Sequence, residues 1–218
     1  MVEAVKVRLA SLVLLALPSV VRAHQLDEYL QSTLVVIEPA SIRLQMILTP
    51  GVSIAEKVLA LMDGNADGVL STEEGAAYAA LLKRELSLQL DTQDLELKLT
   101  ASDIPTPAEL RTGAGIMQME FTAVPDTIAA GPHTLTLRNR HLPSVSVYLI
   151  NAAKPKTATI QINRQTRIEN QSAGEIAYTF QPPADSSQGV ERMAALAGLL
   201  AAAVGWWLLR KSRAEKTR

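Results

Sequence analysis

The chain has 218 residues, of which 48% are hydrophobic and 20% are charged, so it is long and apolar enough to fold around a core. It contains no cysteine, which excludes disulfides, thiolate metal sites, a cysteine nucleophile and a lipoprotein anchor. Residues 24–192 hold 20 acidic and 13 basic side chains, and this excess of negative charge argues against a nucleic-acid partner.

The first 23 residues have the pattern of a secretory signal peptide. Lys6 and Arg8 precede a short apolar run, residues 9–17, and small residues stand at the −3 and −1 positions of a cleavage site after Ala23. The run is too short to span a bilayer, although an uncleaved anchor or a buried helix is the alternative interpretation. Cleavage would make His24 the first residue of the exported chain.

His24 is a candidate ligand for a transition metal. As a new amino terminus it would carry an α-amine and an imidazole on one residue, a chelating pair suited to Ni²⁺, Co²⁺ or Cu²⁺. Asp27 or Glu28 could add an oxygen ligand. The alternative is that His24 is simply the residue with which the exported chain begins and has no role in metal binding. We interpret His133 and His141 as surface or hydrogen-bonded histidines rather than ligands.

Short runs of alternating apolar residues recur through the exported segment, separated by Pro, Gly, Asn and Asp. This two-residue period predicts half-buried strands. The nine predicted strands are residues 29–37, 42–49, 87–91, 95–101, 116–123, 133–138, 144–151, 157–164 and 175–180. Because no long helix separates most of them, the pattern favours a mainly antiparallel, β-sandwich-like domain over residues 24–181.

Two segments inside this β pattern have apolar residues at helical spacing instead, residues 53–62 and 72–86. Ser71 precedes the second segment with a capping hydroxyl, and Glu73 and Glu74 put negative charge in its first turn. The predicted fold class is therefore α+β, with a helix-loop-helix over residues 53–86 inserted among the strands.

The loop between these helices, residues 63–74, matches the EF-hand calcium loop. Calcium takes six to eight oxygen ligands, and an EF-hand supplies them from positions 1, 3, 5, 7, 9 and 12 around a glycine at position 6. Gly68 stands at position 6, and Leu70 at position 8 is expected to pack inward. The predicted ligands are Asp63, Asn65, Asp67, Val69 by its carbonyl, Ser71 through water, and Glu74 as the bidentate ligand.

A solvated acidic turn between two helices is the alternative interpretation of this loop. Only three of the proposed ligands are carboxylates, and the hand is unpaired. We therefore expect the affinity of an extracellular module, with a dissociation constant of roughly 10⁻⁴ to 10⁻³ M. Bound calcium would stabilise the domain, because the unfolded chain cannot hold the ligands together.

The end of the sequence predicts a membrane anchor. Residues 193–209 are apolar and uncharged, and as a helix of roughly 26 Å they come close to spanning the ~30 Å hydrocarbon core. Trp206 and Trp207 suit the interface, and residues 210–218 carry five basic residues against one acidic residue, which predicts a cytoplasmic tail. Residues 182–192 would form a flexible stalk.

These signals together predict a single-pass protein of the inner (plasma) membrane with most of its chain in the periplasm. The alternative for residues 193–209 is a sorting tail that is removed. Nucleophile elbows, metalloprotease helix motifs, phosphate-binding glycine loops and carboxylate pairs outside residues 63–74 are all missing from the sequence. The chain is therefore predicted not to be an enzyme, and a hydrolase whose site is not recognisable in sequence is the remaining alternative.

Four stretches carry a family resemblance: residues 24–31 (HQLDEYLQ), 48–52 (LTPGV), the loop 63–74, and 146–151 (SVYLIN). With these residues the chain resembles uncharacterised bacterial exported EF-hand membrane proteins. They look akin to the extracytoplasmic domain found with nickel and cobalt permeases of the hydrogenase and urease accessory type. The resemblance implies an exported domain close to transition-metal handling. With a single predicted membrane helix, the chain is not expected to transport a metal itself.

The predicted function is a calcium-binding, membrane-anchored ectodomain that acts as a non-enzymatic accessory or interaction module. Its partner would be a membrane protein such as a metal permease. The alternative is a periplasmic accessory that presents Ni²⁺, Co²⁺ or Cu²⁺ to a permease through His24.

Overall fold

The computed structural model of the chain describes residues 27–168 and 170–183. The predicted signal peptide, His24, nearly all of the predicted stalk, the predicted membrane segment and the basic tail lie outside the described residues. Within the described ranges, no helix has the length and apolar character needed to cross a bilayer.

The described chain forms ten strands and three helices, all within one compact unit that ends at Gln181. The strands are β1 (Tyr29–Glu38), β2 (Ser41–Pro50), β3 (Leu86–Leu90), β4 (Gln93–Asp94), β5 (Lys98–Asp103), β6 (Met117–Ala123), β7 (Gly131–Asn139), β8 (Ser146–Ala152), β9 (Ile160–Ile168) and β10 (Ala173–Phe180). The helices are α1 (Val52–Met62), α2 (Thr72–Glu85) and α3 (Pro107–Arg111).

The strands form two five-stranded sheets. The first sheet has the strand order β5-β6-β2-β1-β8, and the second has the order β4-β3-β7-β10-β9. Among these described strands, neighbours are antiparallel except for β1 and β8, which are parallel. The chain reaches β8 by crossing over from β7 in the second sheet. That crossing sets the direction of β8, which the alternation of side chains does not specify.

The inward-facing side chains of the two sheets form one buried cluster. The first sheet contributes Leu44, Met46 and Phe121, and the second contributes Leu137 and Tyr178, none of them more than 2% exposed. Full burial of an apolar side chain of this size contributes about 1.5–3 kcal/mol. The described chain is therefore a mostly β, sandwich-like fold with one shared core.

The boundaries of the elements lie close to their predicted positions, with two exceptions. Strands β5 and β9 begin three residues later than predicted, at Lys98 and Ile160. Leu95 and Leu97 are buried ahead of β5, and the Leu95 N–H donates to the Leu88 carbonyl of β3 at 2.8 Å, so the alternation there continues the β3–β4 hairpin rather than β5. Strand β4 and helix α3 were not predicted, because two and five residues are too few to show a period.

Helices α1 and α2 connect β2 of the first sheet to β3 of the second, and both lie within one residue of their predicted ends. Their buried residues are Ile54, Ala55, Val58, Leu59, Met62, Gly75, Tyr78, Ala79 and Leu82. Glu85 ends α2 and Leu86 begins β3, so no connecting residue separates the helix from the sheet. The carboxyl end of α2 is thereby held by the pairing of β3 with β7.

Candidate metal loop and the buried histidine network

The first half of the loop 63–74 is a tight turn around Gly68. Ala66 and Gly68 both have left-handed backbone angles, with φ of 59° and 79°. Glycine adopts this conformation without strain because it has no Cβ. The Gly68 N–H donates to Asp63 Oδ2 at 2.8 Å. The sharp turn therefore lies at the position where the EF-hand pattern predicts it.

The side chains at loop positions 1, 3 and 5 are held together by the loop backbone. The Asp67 N–H donates to Asp63 Oδ1 at 3.1 Å and to Asn65 Oδ1 at 2.9 Å. Asp67 Oδ1 accepts from the Val69 N–H at 2.8 Å, and its other carboxylate oxygen accepts from Asn65 Nδ2 at 2.9 Å. Three of the predicted ligands are thus neighbours, with their oxygens directed at the turn.

Glu74 joins the two ends of the loop. Its Oε2 accepts from the Ser71 N–H and hydroxyl, both at 2.9 Å, and the Glu74 N–H donates back to the Ser71 hydroxyl in a capping box. Its Oε1 accepts from the N–H groups of Gly64 at 2.9 Å and Asn65 at 3.4 Å. The hydrogen bonds from Ser71 lower the pKa of Glu74, which favours the carboxylate. The Glu74 side chain therefore points toward the beginning of the loop.

The carboxylates do not surround one common point. In the described part of the chain, no three His, Cys, Asp or Glu side chains are grouped so that they could hold a metal ion. The oxygens of Asp63, Asp67 and Glu74 bond instead to N–H groups of the loop. Leu70 is partly buried against the core, as the pattern predicts. The fold brings the predicted ligands into one loop but leaves them hydrogen-bonded to the backbone.

A second polar cluster, which we call the histidine network, lies beside the rest of α2. It consists of Tyr29 from β1, Tyr78 and Glu85 from α2, and His141 from the β7–β8 connection. The Tyr29 and Tyr78 hydroxyls are 2.8 Å apart, and the Tyr78 hydroxyl is 2.9 Å from His141 Nε2. His141 Nδ1 bonds to a carboxylate oxygen of Glu85. The three rings are at most 1% exposed, so the network is part of the interior.

The protonation of the network follows from its burial. Burial lowers the pKa of His141, against the smaller raising effect of Glu85, so the imidazole is neutral at pH 7. Burial also raises the pKa of Tyr29 and Tyr78, which keep their protons. His141 Nδ1–H then donates to Glu85, the Tyr78 hydroxyl donates to Nε2, and the Tyr29 hydroxyl donates to Tyr78. Each hydrogen in this series of hydrogen bonds has an acceptor.

The backbone carbonyl and N–H of His141 are hydrogen-bonded as well as its ring. Its carbonyl accepts hydrogen bonds from Gln31 Nε2 at 2.8 Å, Tyr148 OH at 2.9 Å and Ser146 Oγ at 3.0 Å. Its N–H donates to Asn139 Oδ1 at 2.9 Å, and Asn139 Nδ2 donates to Gln31 Oε1 at 2.8 Å. These bonds satisfy polar groups that would otherwise be costly to bury, and they join the two sheets at the crossover.

The surroundings of His133 favour the charged ring, whereas those of His141 favour the neutral ring. Its Nδ1 lies 2.9 Å from Asp91 Oδ2, and its Nε2 lies 2.8 Å from the Ala129 carbonyl oxygen. Both ring nitrogens therefore face acceptors, which suits the charged imidazolium. Burial lowers the pKa of His133, but the bonds to Asp91 and Ala129 outweigh this and raise it.

The histidine network has groups used in catalysis, but its reactive atoms are enclosed. His141 is 0% exposed, so a substrate cannot reach its ring in this conformation. The geometry favours a structural role in joining α2 to the sheets.

Comparison with known proteins gives no relative, because no family model, no curated protein and no solved structure matches the chain. The loop and the network are therefore the features of the described residues that bear on function.

Proposed function

We propose that this protein is a calcium-binding ectodomain, anchored in the inner membrane through residues 193–209, that acts as a non-enzymatic accessory or interaction module for a membrane protein. The observation that carries the proposal is the loop 63–74, in which oxygen-bearing groups stand at all six EF-hand ligand positions around the left-handed Gly68. The alternative of a Ni²⁺, Co²⁺ or Cu²⁺ accessory depends on His24, which lies outside the described residues.

The hydrogen bonds of the loop support a short path to the bound state. The turn around Gly68 is already formed, and Asp63, Asn65 and Asp67 are adjacent. Calcium would replace the N–H groups of Gly64 and Asn65 as partners of Glu74 Oε1, and it would share Oε2 with Ser71. Because Gly64 and Asn65 are exposed, water can take over as the partner of their N–H groups.

Calcium bound in this loop would stabilise the whole compact unit. The helices on both sides of the loop bury apolar faces in the core, so an ion that joins Asp63 to Glu74 also holds α1 to α2. The unfolded chain has no such cluster of ligands, and the ion therefore favours the folded state. A structural role of this kind suits a compartment in which calcium is plentiful.

Calorimetric titration of the full-length chain in detergent micelles with CaCl₂ tests this proposal. We expect a dissociation constant of roughly 10⁻⁴ to 10⁻³ M. Glu74→Gln keeps the capping box but removes a negative ligand, and it should weaken binding at least about tenfold. Glu73→Gln is the matched control, because Glu73 is exposed and stands outside the ligand positions.

Two results would overturn the proposal. One is the absence of any calcium-dependent heat in the wild-type chain. The other is equal loss of affinity in Glu73→Gln and Glu74→Gln, since that would indicate general attraction of calcium to an acidic surface rather than coordination by residue 74. Either result would leave an exported β domain with a solvated acidic turn.

A further inference from the structure

Helix α2 carries parts of both polar sites. Glu74, the last predicted calcium ligand, lies in its first turn, Tyr78 lies one turn further on, and Glu85 is its last residue. Residues separated by four and by eleven positions lie on the same side of an α-helix. A helix of about 20 Å thus places the calcium ligand at one end and the two contacts of His141 along the same face.

We infer that His141 is a positioning residue for the calcium loop, which acts by holding Tyr78 and Glu85 so that α2 presents Glu74 to the ion, and that addition of a proton to His141 weakens calcium binding. The inference rests on the proposed calcium site. It adds a regulating group that lies outside the loop and contacts none of the predicted ligands.

The hydrogen-bond count of the network explains why a proton matters. When the His141 ring is neutral, the hydrogens on its Nδ1, on the Tyr78 hydroxyl and on the Tyr29 hydroxyl each have an acceptor. When Nε2 also carries a hydrogen, the Tyr78 hydroxyl must accept from it and can no longer donate to it. The Tyr78 hydrogen must then turn to Tyr29, whose own hydroxyl hydrogen loses its acceptor, because Tyr78 is its hydrogen-bond partner among the described residues. Protonation thus leaves one buried hydroxyl hydrogen unpaired, which is costly.

The other titratable groups that face His141 do not remove this conflict. Tyr29 from β1 and Tyr78 from α2 are already members of the hydrogen-bonded series that ends at Nε2. Tyr148 from β8 donates to the His141 carbonyl rather than to its ring. Glu85 accepts from Nδ1 in both states of the ring, so it attracts the second proton without providing an acceptor for the hydrogen on Nε2. The conflict is relieved by movement of α2 away from the ring.

Movement of α2 reaches the calcium loop because the hand is unpaired. In most EF-hand proteins a second hand fixes the helices, whereas here α2 is fixed by the core, through Tyr78, Ala79 and Leu82, and by the histidine network. A looser α2 lets Glu74 move relative to Asp63, and calcium must then order both ends of the loop. By reciprocity, bound calcium must disfavour the proton on His141.

Calcium titrations of the full-length chain at pH 7.5 and pH 5.5 test the inference. We expect wild-type affinity to fall about two- to fivefold between these values, because a tenfold coupling between the two sites is expressed in full only well below the lowered pKa of His141. His141→Gln, which cannot take up the proton, should lose most of this fall. His133→Gln is the matched control, because His133 is hydrogen-bonded to Asp91 away from α2, and it should keep the wild-type profile.

Tyr78→Phe gives a second variant if His141→Gln does not fold. It keeps the buried ring but removes the hydroxyl that contacts Nε2, so the fall in affinity between pH 7.5 and 5.5 should disappear. In the wild-type chain, NMR titration of the histidine rings should show that saturating calcium lowers the pKa of His141 by about one unit, the equivalent of tenfold coupling.

Each outcome bears on one of the two proposals. Calcium binding with the same pH profile in the wild type and His141→Gln would overturn this inference alone, as would a His141 titration that calcium does not change. Failure of calcium to bind at either pH would overturn the proposed calcium site, and this inference with it.

Discussion

The loop 63–74 and the histidine network lie beside the same helix but are built in different ways. The loop consists of twelve consecutive, mostly exposed residues whose polar atoms bond to their own neighbours in the chain. The network joins residues of β1, α2 and the β7–β8 connection, and its rings are buried. Local spacing can therefore reveal the loop, whereas the network exists only when the two sheets and α2 pack together.

The largest effect expected from this difference is on stability. His141→Ala removes the partners of Tyr78 and Glu85 and leaves a cavity at the crossover, so the free energy of unfolding should fall by about 3 kcal/mol. His133→Ala removes a side chain that is 9% exposed and bonds to the half-exposed Asp91, and it should cost about 1 kcal/mol. Urea unfolding followed by circular dichroism measures both. Equal losses in the two variants would contradict the central position that we assign to His141.

The next effect comes from the ion. Calcium at ten to a hundred times its dissociation constant should raise the free energy of unfolding by about 1.4 to 2.7 kcal/mol. The same calcium concentration should leave Glu74→Gln nearly unchanged, since that variant binds the ion poorly. Thermal unfolding with and without calcium measures this, and an equal gain in both chains would show that the ion stabilises the protein at another place.

A smaller effect is expected at the turn of the loop. Gly68→Ala forces a residue with a Cβ into a left-handed backbone at φ of 79°, and should destabilise the loop by about 1 kcal/mol, with a matching loss of calcium affinity. Gly64→Ala is the matched control, because a Cβ meets nothing within 4 Å at either glycine and only Gly68 has a positive φ. A loss of affinity in Gly64→Ala as large as in Gly68→Ala would contradict the backbone explanation.

The smallest effect is the dependence of stability on pH. The pKa of folded His141 is lowered, so below about pH 6.5 the unfolded chain binds the proton first and acid destabilises the fold. The pKa of folded His133 is raised, so its contribution is present in acid and is lost as the pH rises through that value. Unfolding curves from pH 5 to 8 should show that His141→Gln is less sensitive to acid than the wild type and that His133→Gln is more sensitive. The reverse order would contradict the protonation states assigned here.

Much of the fold was predictable because it depends on neighbours in the chain. Alternation along β2 revealed its buried face, and the capping hydroxyl of Ser71 marked the start of α2. The parallel pairing of β1 with β8 was not predictable, since it depends on where the chain crosses between the sheets. Helix α3 was missed because five residues do not repeat a helical period.

The candidate site divides in the same way. The spacing of oxygen-bearing residues from Asp63 to Glu74 is enough to predict a calcium loop, because an EF-hand draws its ligands from one short segment. His141 has no such signal. A single histidine between Arg140 and Leu142 looks like any loop residue until packing brings Tyr78 and Glu85 to its two ring nitrogens. Its burial, its neutral state and its contact with α2 are properties of the packed sheets, since hydrogen bonds between distant residues form only where the whole core brings them together.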